Sequence, residues 1–190
     1  MIPVKNIREQ LEILDNFEDL KLKRLRDDAI DLVEHAINRV IVKRQIRQYQ
    51  DSFAYGITNL RTPLITIDSI EYLDRNDILT TVPSNDYVIK GNVFDKYGSI
   101  NDGTDYYFYP EIELETGAAW PNDVSEKKNS VIVTYTSGFE QNELPDGLSR
   151  AILIAIATLY ENRESLAPVQ LYNVPAFDMA VAPYRKSIPS

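Results

Sequence analysis

The sequence has no cysteine, a single histidine and only seven glycines. The lack of cysteine excludes disulfide bridges and thiolate chemistry, which fits a reducing compartment. A zinc site would have no thiolate ligand and could use only His35 as an imidazole ligand. The glycines are scattered and form neither G-x-x-x-x-G-K-[ST] nor G-x-G-x-x-G, so the common phosphate-binding loops are excluded.

Long apolar runs are also missing. The most apolar segment, residues 151–160, is about half of the roughly 20 residues that cross a bilayer. Pro3 and the charges that follow it do not fit a secretory signal. We therefore expect a protein without a membrane partner.

The net charge of −9 comes from one region of the chain. Residues 64–145 hold 15 acidic and 5 basic residues, whereas the segments on either side are close to neutral. Two interpretations remain open, a solvated acidic surface and a surface that must not adhere to nucleic acid. Either one argues against sequence-independent binding to a phosphate backbone, which requires clustered lysine and arginine.

Groups for catalysis are few. His35 lies beside Glu34 at the edge of an apolar helix stripe, and no G-x-S-x-G motif supplies a nucleophile. Oxygen ligands for an ion occur in the acidic region, but without EF-hand spacing: Asp102, Asp105, Glu111, Glu113 and Glu115. The last three alternate with apolar residues, as on an exposed strand face. We expect no enzyme activity, no cofactor and no metal ion, although two carboxylates can always meet in space.

Helical periodicity marks the first part of the chain. Val4, Ile7, Leu11 and Leu14 have the spacing of one helix face. Asn16 is a candidate N-cap for a second, longer helix, with Asp19 three residues later. Its wide apolar stripe comprises Leu22, Leu25, Ala29, Leu32, Val33, Ala36, Ile37 and Val40.

Short β-strands are predicted in the middle of the chain. Alternation and β-branched residues indicate strands at 44–53, 64–73, 78–82, 87–90, 106–109, 112–114 and 130–136. Pro63 cannot donate to a strand ladder, so a new strand should start after it. Short strands at this spacing predict an antiparallel sheet, a barrel or a small sandwich.

Helices return at the end, where Asp146 is a candidate cap for a helix that runs to about Arg163 and a shorter helix covers 176–182. The predicted fold class is α+β, a small helical bundle built from both chain ends with an inserted antiparallel β subdomain. The expected boundaries are 1–43 for the first helices, 44–138 for the acidic β insertion and 139–190 for the helices that complete the bundle.

The helix over 151–160 is apolar on all sides. At 100° per residue, Ile152, Ile156, Leu159 and Arg163 share one face, and Leu153, Ala155 and Ala157 point away from it. Burial all round requires a central place in a bundle or a neighbouring subunit. Four consecutive aromatic residues, 106–109, and Trp120 leave a similar choice between core packing and a binding face.

Four segments carry a family resemblance. They are the helix around Val33 with the strand at 45–49, the Pro63 segment at 60–70, the run from Val133 through Gly138 and Pro145 to residue 164, and residues 174–185. In this order the chain resembles the small head–tail connector (adaptor) proteins of tailed bacteriophages. The third segment, with Tyr135 and residues 160–164, is the most specific of the four.

The resemblance implies a structural protein of the virion neck that is assembled in the host cytoplasm. Such proteins form a ring, commonly of twelve copies, below the portal protein, and a tail-side neck or tail-completion protein binds next. Genomic DNA passes through the ring without specific binding, and the family has no catalytic residues to carry over. The expected subunit or portal contacts are Ile152, Ile156, Leu159, Tyr160, Arg163, Tyr184 and Arg185.

Two alternatives remain. Another neck or tail-completion protein would share the oligomeric design but not the portal contact. A carbohydrate- or ion-binding β module would instead use the aromatic and acidic residues of the insertion.

Overall fold

The computed structural model describes residues 2–90, 111–140, 143–161 and 174–185. Helices and antiparallel sheets are both present, which confirms the α+β class. The chain forms two compact units: Met1–Val42 together with Phe139–Ser190, here the helical unit, and Lys43–Gly138, here the β unit.

The helical unit draws its helices from both chain ends. Its elements are α1 (Val4–Gln10), α2 (Asp19–Ile37), α3 (Asp146–Glu161), α4 (Pro175–Val181) and a 3₁₀ turn (Ala182–Tyr184). The predicted final helix at 176–182 is found one residue earlier. No helix among the described residues has the length and apolarity needed to span a bilayer.

The core of the helical unit forms around α3, which packs against α2 and α4. The apolar stripe predicted for α2 is largely confirmed, because Leu22, Ala29, Val33 and Ile37 have no accessible surface. The facing side chains that are fully enclosed are Ile7, Leu148, Ala151, Ile152, Ala155, Ile156, Phe177 and Val181. Each large side chain of this kind contributes about 1.5–3 kcal/mol on burial, so packing rather than surface ion pairs holds the helices together.

The C-terminal end of α2 is closed by Asn38, which adopts the left-handed conformation at φ 53°. The Glu34 carboxylate accepts hydrogen bonds from the backbone N–H groups of Ile41 (2.6 Å) and Val42 (3.1 Å). The buried Arg39 donates from Nε to the Tyr184 carbonyl at 2.9 Å. The Glu34 bonds hold the segment after α2 against the end of that helix, and the Arg39 bond joins the same segment to the 3₁₀ turn.

The start of α2 differs from the prediction. The helix begins at Asp19, and its N-cap residue Glu18 makes no side-chain cap bond, so the Asn16 cap is wrong. The Asp15 carboxylate instead accepts from the Phe17 N–H at 3.1 Å, a local turn that competes with helix capping. Helix α1 ends at Gln10, and Glu12 adopts a left-handed conformation at φ 55°. Leu14 therefore lies beyond the helix to which the sequence pattern had assigned it.

Asp146 lies inside the first turn of α3, where its charge complements the helix dipole. The carbonyl of the preceding Pro145 accepts the N–H of Ser149 at 2.9 Å. Asp146 is thus a first-turn acid rather than the N-cap that the sequence suggested.

The β unit contains six strands: β1 (Arg44–Gln50), β2 (Leu64–Leu73), β3 (Leu79–Thr81), β4 (Tyr87–Lys90), β5 (Glu111–Leu114) and β6 (Val131–Ser137). They form an antiparallel four-stranded sheet in the order β1-β6-β2-β3 and a separate β4-β5 pair. Six predicted strands are found within a few residues of their expected bounds. The predicted strand at 106–109 lies outside the described residues.

The core of the β unit lies on one face of the sheet. Along the central strand β6, Val131, Val133 and Tyr135 alternate toward it and are fully buried. Phe53 stacks on Trp120 with ring centroids 4.9 Å apart and meets Tyr72 edge-on at 6.0 Å. Trp120 is therefore a packing residue of this unit.

The segment before β2 is tied to β6 by side-chain hydrogen bonds. The peptide bond between Thr62 and Pro63 is cis. Ser137 donates from Oγ to the Pro63 carbonyl at 2.8 Å, and the Tyr135 hydroxyl accepts the Arg61 N–H at 2.9 Å. The strand after Pro63 thus begins where the sequence predicted, with its first residues fixed against the central strand.

Candidate assembly surface

Helix α3 has one buried face and one partly open face. The buried face consists of Leu148, Ala151, Ile152, Ala155 and Ile156. Leu153, Ile154 and Ala157 lie on the opposite face, where they line a groove of about 510 Å³ together with Gln10 of α1 and Glu161. The other residues that line this α3 groove are polar or charged: Asp146, Ser149, Arg150 and Thr158. The open face of α3 thus combines an apolar strip with a polar surround.

The structure places two of the predicted contact residues inside the subunit. Ile152 and Ile156 have no accessible surface and lie on the face of α3 that packs against α2 and α4. These side chains consequently have no surface left for a neighbouring subunit, because helix packing within the chain already covers them. The predicted face and the available face of α3 are on opposite sides of the helix.

Leu159 and Tyr160 are half-buried near the C-terminal end of α3. The Tyr160 hydroxyl donates to the Glu18 carboxylate at 2.7 Å, and the Lys21 ammonium lies 5.1 Å from the Tyr160 ring centroid. Tyr160 therefore joins α3 to the first turn of α2. Arg163 lies outside the described residues.

Tyr184 and Arg185 lie at the opposite end of α3. The Tyr184 ring approaches α3 so closely that a Cβ on Gly147 would lie 2.6 Å from the Tyr184 hydroxyl oxygen. Arg185 is exposed and pairs with Asp178 of α4 at 2.6 Å. A role for either residue in subunit or portal contacts stays a prediction.

A second groove lies between the N-terminal half of α3 and α4. It has a volume of about 580 Å³, and its apolar lining consists of Ala176, Met179, Ala180 and Pro183. Arg150 lines both this α3–α4 groove and the α3 groove. Met179 is 77% exposed, so a large apolar side chain at this groove faces water.

Three further exposed apolar side chains were missed because the sequence periodicity assigned them no surface role. Leu14, Phe17 and Leu20 are 100%, 90% and 66% exposed. They belong to residues 12–20, here the projecting segment, which connects α1 to the first turn of α2. The sequence did contain a signal for their exposure: large apolar residues and acids occur together in a stretch that also holds the turn-forming residues Asp15 and Asn16.

A carboxylate on the β unit is fixed by three side chains from three strands. Asp68 of β2 accepts hydrogen bonds from Gln45 (2.8 Å), Thr66 (2.9 Å) and Thr136 (3.1 Å). Partial burial raises the pKa of Asp68, but these hydrogen bonds stabilise the charged form more strongly, and the pKa lies below its ordinary value. The cluster links β1, β6 and β2 through one carboxylate, so the hydrogen bonds of Asp68 have a structural role.

The residues considered for ions and sugars have structural neighbours. Among the described residues no group of three potential metal ligands comes together. Glu113 pairs with Lys90 across the β4-β5 ladder, and one face of the Trp120 ring is covered by Phe53. His35 is exposed on the last turn of α2. Asp102, Asp105 and the aromatic run 106–109 lie outside the described residues.

No protein-family model matches the sequence, and no curated protein matches it. Among solved structures, a chain in the neck of an empty GTA particle computed with C6 symmetry has a TM-score of 0.73 and 20% identity. The match covers 100% of this chain and 91% of that one.

Two further solved structures give the same result. A chain in the neck of the native GTA particle, computed with C12 symmetry, has a TM-score of 0.69 and 19% identity over 100% of this chain and 94% of that one. A chain in the virion of the native gene transfer agent particle has a TM-score of 0.72 and 22% identity, with coverage of 100% and 91%. Over its whole length, this chain shares the fold of these gene transfer agent chains.

Proposed function

We propose that this chain is a structural protein of the neck of a phage-like particle, a head–tail connector whose copies form a ring below the portal protein. The observation that carries the proposal is the full-length fold likeness to chains of gene transfer agent necks, with TM-scores of 0.69–0.73. The resemblance of the sequence to head–tail connector proteins rests on particular residues rather than on the fold, and it points to the same role. A connector acts by binding its neighbours in a fixed arrangement, so this function needs no catalytic group.

The ring follows from the way identical subunits close on themselves. A cyclic assembly of more than two copies uses heterologous contacts, in which one surface of a subunit binds a different surface of the next. The helical unit offers several surfaces with accessible apolar side chains for such contacts: the α3 groove, the α3–α4 groove and the projecting segment. The C6 and C12 symmetries used for two structural neighbours support a ring, and the family resemblance implies twelve copies.

The negative charge of the chain fits a protein along which DNA moves without binding. Residues 64–145 carry a net charge of −10, and acidic side chains repel the phosphate backbone rather than replace its counterions. We assign this region to the channel wall or to the rim of the ring. The portal protein on one side and a tail-side neck or tail-completion protein on the other are the expected partners.

An image of the particle at subunit resolution tests the proposal. The expected result is a ring of this chain in direct contact with the portal protein, on its tail side. Density for the chain elsewhere in the tail, or particles that assemble with normal necks when the gene is deleted, would contradict it. Placement one layer further from the portal would favour another neck or tail-completion protein.

A further inference from the structure

The projecting segment holds three large apolar side chains in water within an ordered turn. Arg8 donates from Nη1 to the Asp15 carbonyl at 3.4 Å, Asp15 accepts the Phe17 N–H, and the Asp19 N–H donates to the Asn16 carbonyl at 3.2 Å. These bonds fix the backbone while Leu14 and Phe17 remain almost fully exposed. Apolar side chains that a structure holds outward in this way mark a contact surface.

The α3–α4 groove has the complementary shape. Ala176 and Ala180 are one helical turn apart on α4, and their small side chains leave a depression between the larger Met179 and Pro183. Its volume of about 580 Å³ is large enough to accept a large apolar side chain. Met179, whose unbranched side chain has three rotatable bonds, can adjust its position around an inserted ring.

These two surfaces lie on different sides of α3. Tyr160 bonds to Glu18 of the projecting segment, and Gly147 lies against Tyr184 in the lining of the α3–α4 groove. Both residues belong to α3. From their separation in sequence they point about 140° apart around the helix axis and lie about 20 Å apart along it. One subunit therefore presents its apolar projection and its apolar groove in different directions, as a heterologous contact requires.

The charges beside the two surfaces are also complementary. The projecting segment contains the exposed acids Glu12 and Asp15. Arg150 is exposed at the groove and forms no ion pair with any residue in the described part of the chain. Asp146 also lines the groove, so an incoming carboxylate is attracted to the Arg150 side and repelled from the other.

We propose that the projecting segment of one copy packs into the α3–α4 groove of the next copy, with Phe17 against Met179 and an acid of the segment beside Arg150. This inference rests on the proposed ring and identifies which two surfaces close it. An isologous pairing, in which two projecting segments or two grooves meet, is the competing arrangement, and it gives a closed dimer instead of a ring.

Cross-linking between single-cysteine variants tests the pairing, since the natural chain contains no cysteine. Phe17→Cys and Met179→Cys are prepared separately in the full chain, mixed at high concentration and treated with a short bismaleimide linker. The expected result is a cross-linked dimer in the mixture, several-fold above the amount formed by either variant alone. Phe17→Cys mixed with Tyr55→Cys, an exposed position of the β unit, is the matched control.

Two outcomes overturn the pairing: a mixture that yields no more dimer than the control, or a dimer that forms equally well from either variant alone. As a second measurement, the cysteine of the groove is moved to Ala180, and the Ala180→Cys chain is mixed with Phe17→Cys. Adding Met179→Asp to the Ala180→Cys chain is expected to reduce the yield of cross-linked dimer by at least several-fold. Because cross-linking is measured in solution, its failure leaves the neck location untouched. Conversely, a chain that cross-links as expected but is absent from the neck refutes the proposed function alone.

Discussion

Individual side chains on α3 fall into two groups that differ in what they contact. Ile152 and Ile156 fill the interior of the helical unit, whereas Leu153 and Ile154 line the open α3 groove. Both groups are apolar, so composition alone does not separate them. Their substitution by a charged residue should therefore have very different effects on folding.

Ile156→Asp is expected to unfold the helical unit. It would place a carboxylate in a fully enclosed site with no cationic partner, at a cost of about 4 kcal/mol or more. Ile154→Asp, on the open face of the same helix, should cost about 1 kcal/mol or less. Urea unfolding followed by circular dichroism measures both, and equal losses of stability would refute the assignment of the two faces.

Gly147 of α3 lies directly against the Tyr184 ring of the 3₁₀ turn. Gly147→Ala should favour the helix by about 0.5–1 kcal/mol, but its Cβ would lie 2.6 Å from the Tyr184 hydroxyl oxygen. We expect a net loss of stability in the natural chain and a gain in a Tyr184→Ala background. A double-mutant cycle of thermal unfolding measures the coupling, and the same change in both backgrounds would contradict the contact.

Asp68 should make folding stability depend on pH in the acidic range. Its folded-state pKa lies below the ordinary value of 3.8, so its contribution is fully present above that value and is lost as the pH falls through the folded-state pKa. Since the carboxylate is largely exposed, Asp68→Asn should cost no more than about 1 kcal/mol near neutral pH. The difference between wild type and variant, measured by urea unfolding, should shrink in acid, while Asp28→Asn serves as an exposed control.

At the scale of elements, the sequence predicted the strands better than the helix ends. Alternation and β-branched residues located β2, β4 and β6, because each of these strands has one face toward the core of the β unit. Helix ends depend on local hydrogen bonds that compete with one another. Asp15 bonds to the Phe17 N–H and leaves Asn16 without a capping role, an outcome that residue type alone does not determine.

The buried face of α3 shows a second limit of sequence patterns. Residues 151–160 predicted burial on every side of the helix, and the structure buries one face. Coverage of the other face by a neighbouring subunit stays a prediction. The pattern did not reveal which face was which, because apolar side chains occur all round the helix. The positions of α2 and α4 decide this. The contact with α2 joins parts of the chain that are more than 100 residues apart, so a local sequence pattern does not reveal it.

Strand β6 is stabilised by a tyrosine hydroxyl inside the β unit. The Tyr135 hydroxyl accepts the Arg61 N–H and donates to the Gln48 amide oxygen at 3.2 Å. Tyr135→Phe would leave the Arg61 N–H without this acceptor and should cost about 1–3 kcal/mol. A shift of the denaturation midpoint measures the loss. Tyr55→Phe, at an exposed position, is the control, and an equal, negligible shift for both would refute the role.

At the scale of the whole molecule, residue composition and fold give different kinds of information. The absence of cysteine, of glycine-rich loops and of clustered basic residues argued against thiolate chemistry, phosphate-loop enzymes and sequence-independent nucleic-acid binding. The likeness to neck chains, at 19–22% identity, was carried by the arrangement of elements rather than by shared residues. The surfaces proposed for ring contacts come from the folded helical unit, because Leu14 and Met179 are distant in sequence and their exposure depends on helix packing.

The acidic excess of residues 64–145 leads to the last prediction. If these residues face the DNA channel, replacing the exposed acids Glu115 and Glu126 by lysine adds cationic contacts to phosphate in every copy of the ring. DNA passage should then slow, and the delay should weaken as salt concentration rises. Asp28→Lys with Asp31→Lys, two exposed acids of α2, changes the net charge equally and is the matched control.

The rate of DNA release from particles that carry each variant ring provides the measurement. We expect a release rate reduced by about tenfold or more for the β-unit variant at low salt, near-normal release for the control, and normal assembly of both. Equal release from both variants would place the acidic residues on the outside of the ring. In that case their charge would act on solubility and on the choice of partners, since exposed charges beyond a Debye length of about 10 Å from the DNA are screened.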